Sequence, residues 1–86
     1  MFVVLAYDIN QKRVGKALKI CRKYLVHVQK SVFEGVLTDK RLTMLKADLK
    51  KIIDVSTDNV CIYQWESAKF TKKEQIGAVK NFDNIF

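Results

Sequence analysis

An acidic residue that breaks an apolar run is a natural place to look for chemistry, and Asp8 does so in Phe2-Val3-Val4-Leu5-Ala6-Tyr7-Asp8-Ile9. Asp8 is thus the acid that the local pattern singles out. The structural alternative is a strand-end cap. Tyr7 and Asn10 are weaker candidates beside it, and Tyr7 alternates with Val3 and Leu5 as a core residue does. Other chemistries lack parts. His27 is the single histidine, the one side chain that titrates near neutrality, and at the start of a strand it reads as structural. Ser31 has no visible base to activate it. Cys21 and Cys61 lie 40 residues apart without a C-x-x-C spacing, which argues against zinc. Both cysteines sit in apolar patterns and read as small buried hydrophobes rather than a disulfide pair.

The formal net charge is +7, and its location matters more than its size. Lys12, Arg13, Lys16, Lys19, Arg22, Lys23 and Lys30 occur with no acidic residue among them, whereas the nine basic residues elsewhere are matched by all nine acidic ones. The whole excess belongs to one segment. That points to an anionic partner meeting a defined surface, and Lys12, Arg13, Lys16, Lys19 and Lys23 are the candidate nucleic-acid-binding residues.

The elements that must position these residues follow from hydrophobic spacing. Residues 2–9 are an apolar, β-branched and aromatic run that predicts a strand buried on both faces. In 12–25, Val14, Ala17, Leu18, Cys21, Tyr24 and Leu25 recur at helical spacing, with Lys12, Lys16, Lys19 and Lys23 on the opposite side. Residues 27–38 alternate loosely and fit two short strands in a hairpin, for which Glu34-Gly35 is one candidate turn. Thr38 caps a second helix with an apolar stripe of Leu42, Leu45, Leu49, Ile52 and Ile53. Residues 54–58 are a polar connection. Residues 60–65 form a strand with Val60 and Ile62 to one side and Cys61, Tyr63 and Trp65 to the other. Residues 66–75 are a polar arm, and 76–79 supply a last apolar patch.

The order strand, helix, strand, strand, helix, strand predicts an α+β, ferredoxin-like split βαβ fold (βαββαβ) with an extra C-terminal strand, one domain over residues 1–86. Two helices cover only one face of such a sheet, yet the strands at 2–9 and 60–65 are apolar on both sides. A second copy presenting the same face is the economical cover, so a homodimer is expected, with residues 76–86 pairing onto the partner subunit. Apolar runs reach at most six or seven residues, far short of the roughly 20 that span a bilayer. The opening residues lack a basic leader and cleavage site, so a cytoplasmic location is expected.

Three local patterns in this order resemble the CRISPR-associated Cas-two family. They are Tyr7-Asp8-Ile9 followed by Arg13; His27-Val28-Gln29-Lys30-Ser31-Val32-Phe33-Glu34-Gly35; and Val60-Cys61-Ile62-Tyr63 with the later Ile76-Gly77 and Asp83-Asn84-Ile85. Many members carry arginine where this chain has His27. The resemblance implies a CRISPR adaptation protein that binds duplex DNA and bridges two integrase dimers during spacer acquisition. It also implies magnesium-dependent endonuclease activity on RNA or double-stranded DNA, with Asp8 of each protomer as the catalytic metal ligand. A purely structural DNA-binding assembly subunit is the alternative. A small ligand-sensing module would need a glycine-rich loop, and Gly15, Gly35 and Gly77 are isolated.

Overall fold

A computed structural model of the chain describes residues 1–66 and Ile76. The elements run β1 (Phe2–Asp8), α1 (Gln11–Tyr24), β2 (Val26–Gln29), β3 (Val32–Val36), α2 (Asp39–Ile52) and β4 (Asn59–Trp65). All pairings in the four-stranded sheet are antiparallel, in the order β2-β3-β1-β4. This is the expected βαββαβ ferredoxin-like arrangement. The expected C-terminal strand and tail over 76–86 lie outside the described residues, apart from Ile76.

β1 occupies the centre because it is the strand that can be buried on both faces. Val3, Leu5 and Tyr7 enter the core with Phe33 of β3, while Val4, turned to the opposite face, is also covered. The helices close the first face through Ala17 and Cys21 of α1 and Leu42, Leu45 and Leu49 of α2. At the C-terminal end of α1, the Tyr24 hydroxyl donates to Asp48 Oδ2 at 2.7 Å, and the Arg41 guanidinium lies 4.9 Å from the Tyr24 ring centre. Both helices begin at side-chain caps: Asn10 accepts from the Lys12 N–H at 2.9 Å and Thr38 from the Arg41 N–H at 3.2 Å.

The hairpin differs from expectation in where it turns. Its reversal is at Lys30 and Ser31, and the register slips between His27 and Gln29. Glu34-Gly35 instead lies inside β3, opposite Val4 and Val3. Gly35 packs closely there: a Cβ would come 3.2 Å from Leu25 Cδ2, at the residue that follows α1. The cysteines also part company. Cys21 is fully buried and burial pushes its thiol pKa up to about 12, whereas Cys61 is exposed. Alternation along β4 puts Cys61 on the face the helices do not cover. Both are free thiols.

Gly15 has no such packing duty. It lies inside α1 with open space where a Cβ would project. Gly15→Ala should therefore stabilise the fold by about 0.5–1 kcal/mol through helix propensity alone. Thermal denaturation should register this as a higher Tm; a lower one would mean that the position answers to something other than its own helix.

Candidate metal centre and nucleic-acid interface

Asp8 is the last residue of the central strand and pairs with Asn59 at the start of β4. Its side chain is exposed, and no described residue donates to it or pairs with it. The preceding residue is held from both sides: Tyr7 pairs with Val60, and its N–H donates to the Ser31 carbonyl at 3.0 Å. Ser31 thus has a backbone role that ties the hairpin turn to the strand end. The Tyr7 ring packs on Phe33 with centroids 5.6 Å apart, and burial raises its phenol pKa. Phe33 is fully buried, as expected of a core residue.

An exposed carboxylate with no internal cation is chemically suited to a hard divalent ion. Among the described residues no cluster of three or more acidic, histidine or cysteine side chains that could hold a metal ion exists.

His27 does not join Asp8. Its ring stacks on Phe33 at 4.5 Å, and Nε2 lies 3.2 Å from the Lys30 carbonyl across the hairpin turn. Both contacts lie within the β2–β3 hairpin.

The four lysines of α1 are all exposed. At 100° per residue, Lys12, Lys16, Lys19 and Lys23 fall within an arc of about 60°, opposite the buried Ala17 and Cys21. Among the described residues only Lys23 of the four has an acidic partner, with its Nζ 4.0 Å from Asp48 Oδ2.

Arg13, named with these lysines as a candidate nucleic-acid-binding residue, lies apart from them. Its direction around the helix lies some 60° from the nearest of these lysines, and its guanidinium is engaged inside the chain. Nε donates to Asp58 Oδ2 at 2.7 Å and Nη2 to Asp58 Oδ1 at 3.0 Å. Asp58 also accepts from the N–H groups of Asn10 and Asp54, both at 3.0 Å. Its side chain is entirely buried. The Arg13 fork first, then the Asp54 N–H, hold the Asp58 carboxyl far below the usual carboxylate range against the opposing effect of burial.

A carboxylate with a depressed folded-state pKa contributes stability that is complete above its unfolded value near 4, and that is lost as pH falls toward the folded value. The protein should therefore lose stability from about pH 5 downward. Asp58→Asn should be less stable at pH 7 and flatter in acid. Urea midpoints from pH 7 to 2.5 check this; parallel curves for the two proteins would contradict it.

Sequence reasoning passed over Asp58 as part of a polar connection. The available hint was Arg13, the residue in the basic segment that sits off the lysine face.

The sequence profile of the family described as CRISPR associated protein Cas2 matches residues 1–73. This chain belongs to the Cas2 family. It is 43% identical over 85 residues to a CRISPR-associated endoribonuclease Cas2 of Thermotoga maritima, covering 99% of this chain and 98% of the relative. The fold is similar to a crystal structure of Cas2 with a TM-score of 0.83 and 34% identity, covering 100% of this chain and 97% of the other. It is also similar to the crystal structure of Streptococcus pyogenes Cas2 at pH 6.5, with a TM-score of 0.75 and 32% identity over 90% and 100% of the two chains. Cas2 membership accounts for the order of the three sequence patterns. Tyr7-Asp8-Ile9 ends the central strand, the second pattern builds the β2–β3 hairpin that packs on it, and Val60-Cys61-Ile62-Tyr63 pairs along its other edge.

Proposed function

We propose that this chain is a CRISPR adaptation protein, working in the cytoplasm as a homodimer that binds duplex DNA and bridges integrase dimers during spacer acquisition. The exposed lysine face of α1 carries this reading, since four exposed ammonium groups on one side of a helix, only Lys23 of them near a described acid, attract a phosphate backbone without reading bases. No described helix is long and apolar enough to cross a membrane.

A second activity, magnesium-dependent phosphodiester cleavage, is supported by the exposed and unpartnered Asp8. The name of the Thermotoga maritima relative, an endoribonuclease, favours RNA as its substrate, with double-stranded DNA as the other candidate. Asp8 of each protomer would hold the Mg²⁺. When bound, the ion would activate a water and offset charge on the phosphate.

The dimer reading rests on the sheet face away from the helices. Phe2, Val4 and Ala6 of β1 share it with Val32 and Val36 of β3 and with Cys61, Tyr63 and Trp65 of β4. Two such faces stacked together would hide the apolar surface and bring two copies of the central strand near one another. Residues 76–86 would pair with the partner's sheet.

Lysines at Val36 and Cys61, both exposed on this face, would each have to be desolvated in the dimer. Several kcal/mol per ion, about 4 in all as a minimum, corresponds to a dimer constant weakened roughly a thousandfold. Sedimentation equilibrium of Val36→Lys/Cys61→Lys should give monomer at micromolar concentration, with duplex binding correspondingly weakened. Wild-type protein that sediments as a monomer would contradict the proposed assembly.

A further inference from the structure

The buried carboxylate of Asp58 is engaged beyond what its own turn requires. Oδ1 accepts from Asn10 N–H and Arg13 Nη2, and Oδ2 from Arg13 Nε and Asp54 N–H. A carboxylate has about four lone-pair sites, so donors from three separate segments fill it. These segments are the β1–α1 connection, the first turn of α1 and the α2–β4 connection.

Neither neighbouring element needs those bonds to close. The N-terminus of α1 is already capped by the Asn10 side chain. The 54–58 turn is already closed by the Thr57 and Asp58 N–H groups on the Asp54 carbonyl and by Ser56 on Asp54 Oδ1. What Asp58 adds is a link between the two. That link spans Asp8: the strand partner of Asp8 is Asn59, adjacent to Asp58, and Asn10, two residues beyond Asp8, is itself bonded to Asp58. The Asp8 side chain has no restraint of its own among the described residues. Its placement depends on the backbone that carries it.

We propose that Arg13 and Asp58 form a positioning pair that fixes the Asp8-bearing backbone and thereby sets the divalent-cation affinity of Asp8. This rests on the reading of Asp8 as a metal ligand. Arg13 delivers two parallel N–H donors to one carboxylate, a geometry lysine does not reproduce, and the pair joins α1 to the start of β4 on either side of the Asp8 strand end. Groups that orient a metal ligand without touching the metal typically change affinity 10- to 100-fold when removed.

The test uses the full-length protein and Mn²⁺ as probe, followed by calorimetry and by paramagnetic broadening of the Asp8 and Ile9 amide signals. Arg13→Gln and Asp58→Asn are each expected to weaken Mn²⁺ binding roughly 10- to 100-fold, with Arg13→Lys between them and wild type. Tyr24→Phe, which loosens the helix pair by removing the bond to Asp48, should leave Mn²⁺ affinity unchanged. Folded Arg13→Lys or Asp58→Asn protein that binds Mn²⁺ as wild type does would overturn the positioning pair while leaving Asp8 as ligand. An equal loss in Tyr24→Phe would overturn it too, by tracing the effect to general loosening. If Asp8→Asn binds Mn²⁺ as tightly as wild type, or wild type binds none, the metal reading fails and this proposal fails with it.

Discussion

Asp8→Asn is expected to abolish cleavage of RNA and of duplex DNA at every magnesium concentration, while folding, dimerisation and duplex binding persist. Asparagine keeps the size and an acceptor oxygen but removes the charge that a hard cation requires. The ion's contribution to phosphodiester hydrolysis amounts to several kcal/mol, so the rate should fall at least about a thousandfold. The fold should be indifferent to the change, because Asp8 is exposed and no described residue bonds to its carboxylate. Both proteins, purified identically, would be titrated with Mg²⁺ against labelled RNA and labelled duplex. Equal cleavage by the two would assign the activity to another site or to a contaminant. Binding without cleavage by either would leave the bridging role alone.

Much of the fold is legible in the sequence because burial writes a period into it. The continuous apolar run of β1, the helical recurrence of Ala17 and Cys21 in α1 and of Leu42, Leu45 and Leu49 in α2, and the Thr38 cap each mark an element to within two residues of its bounds. The hairpin is less legible because its features mislead locally. Glu34-Gly35 has turn composition, yet it lies inside β3 with the glycine close against Leu25 at the end of α1, and the slip between His27 and Gln29 breaks the alternation that marks a strand. Alternation along β4 assigns Cys61 to a face but does not say what covers that face, so its exposure was missed.

The candidate site divides the same way. Asp8 and the lysine face are local patterns and can be read in order along the chain. The Arg13–Asp58 pair joins residues 45 positions apart, and charge composition groups Arg13 with the lysines. Only the folded chain separates a guanidinium that meets a buried carboxylate from ammonium groups that meet solvent.

The lysine face yields the second large effect. A duplex bound through phosphates releases about 0.9 counterion for each phosphate neutralised, so the logarithm of affinity falls linearly with the logarithm of salt concentration. Lys12, Lys16, Lys19 and Lys23 are exposed and pack on nothing in the core, so replacing all four by glutamine removes charge while preserving helix propensity. Lys23, close to Asp48, should contribute least. Because the contacts are to backbone rather than base edges, affinity should be nearly the same for duplexes of unrelated sequence.

The most direct test of duplex binding through α1 is the salt dependence of affinity for a short labelled duplex, measured side by side for wild type and for the quadruple glutamine variant. The expected result is a steep wild-type line and a variant line shallower by about 3 to 4 in log–log slope, with weaker binding at low salt. Two superimposed lines would contradict the account, leaving the lysine face as solvated surface and placing nucleic-acid contact elsewhere on the molecule.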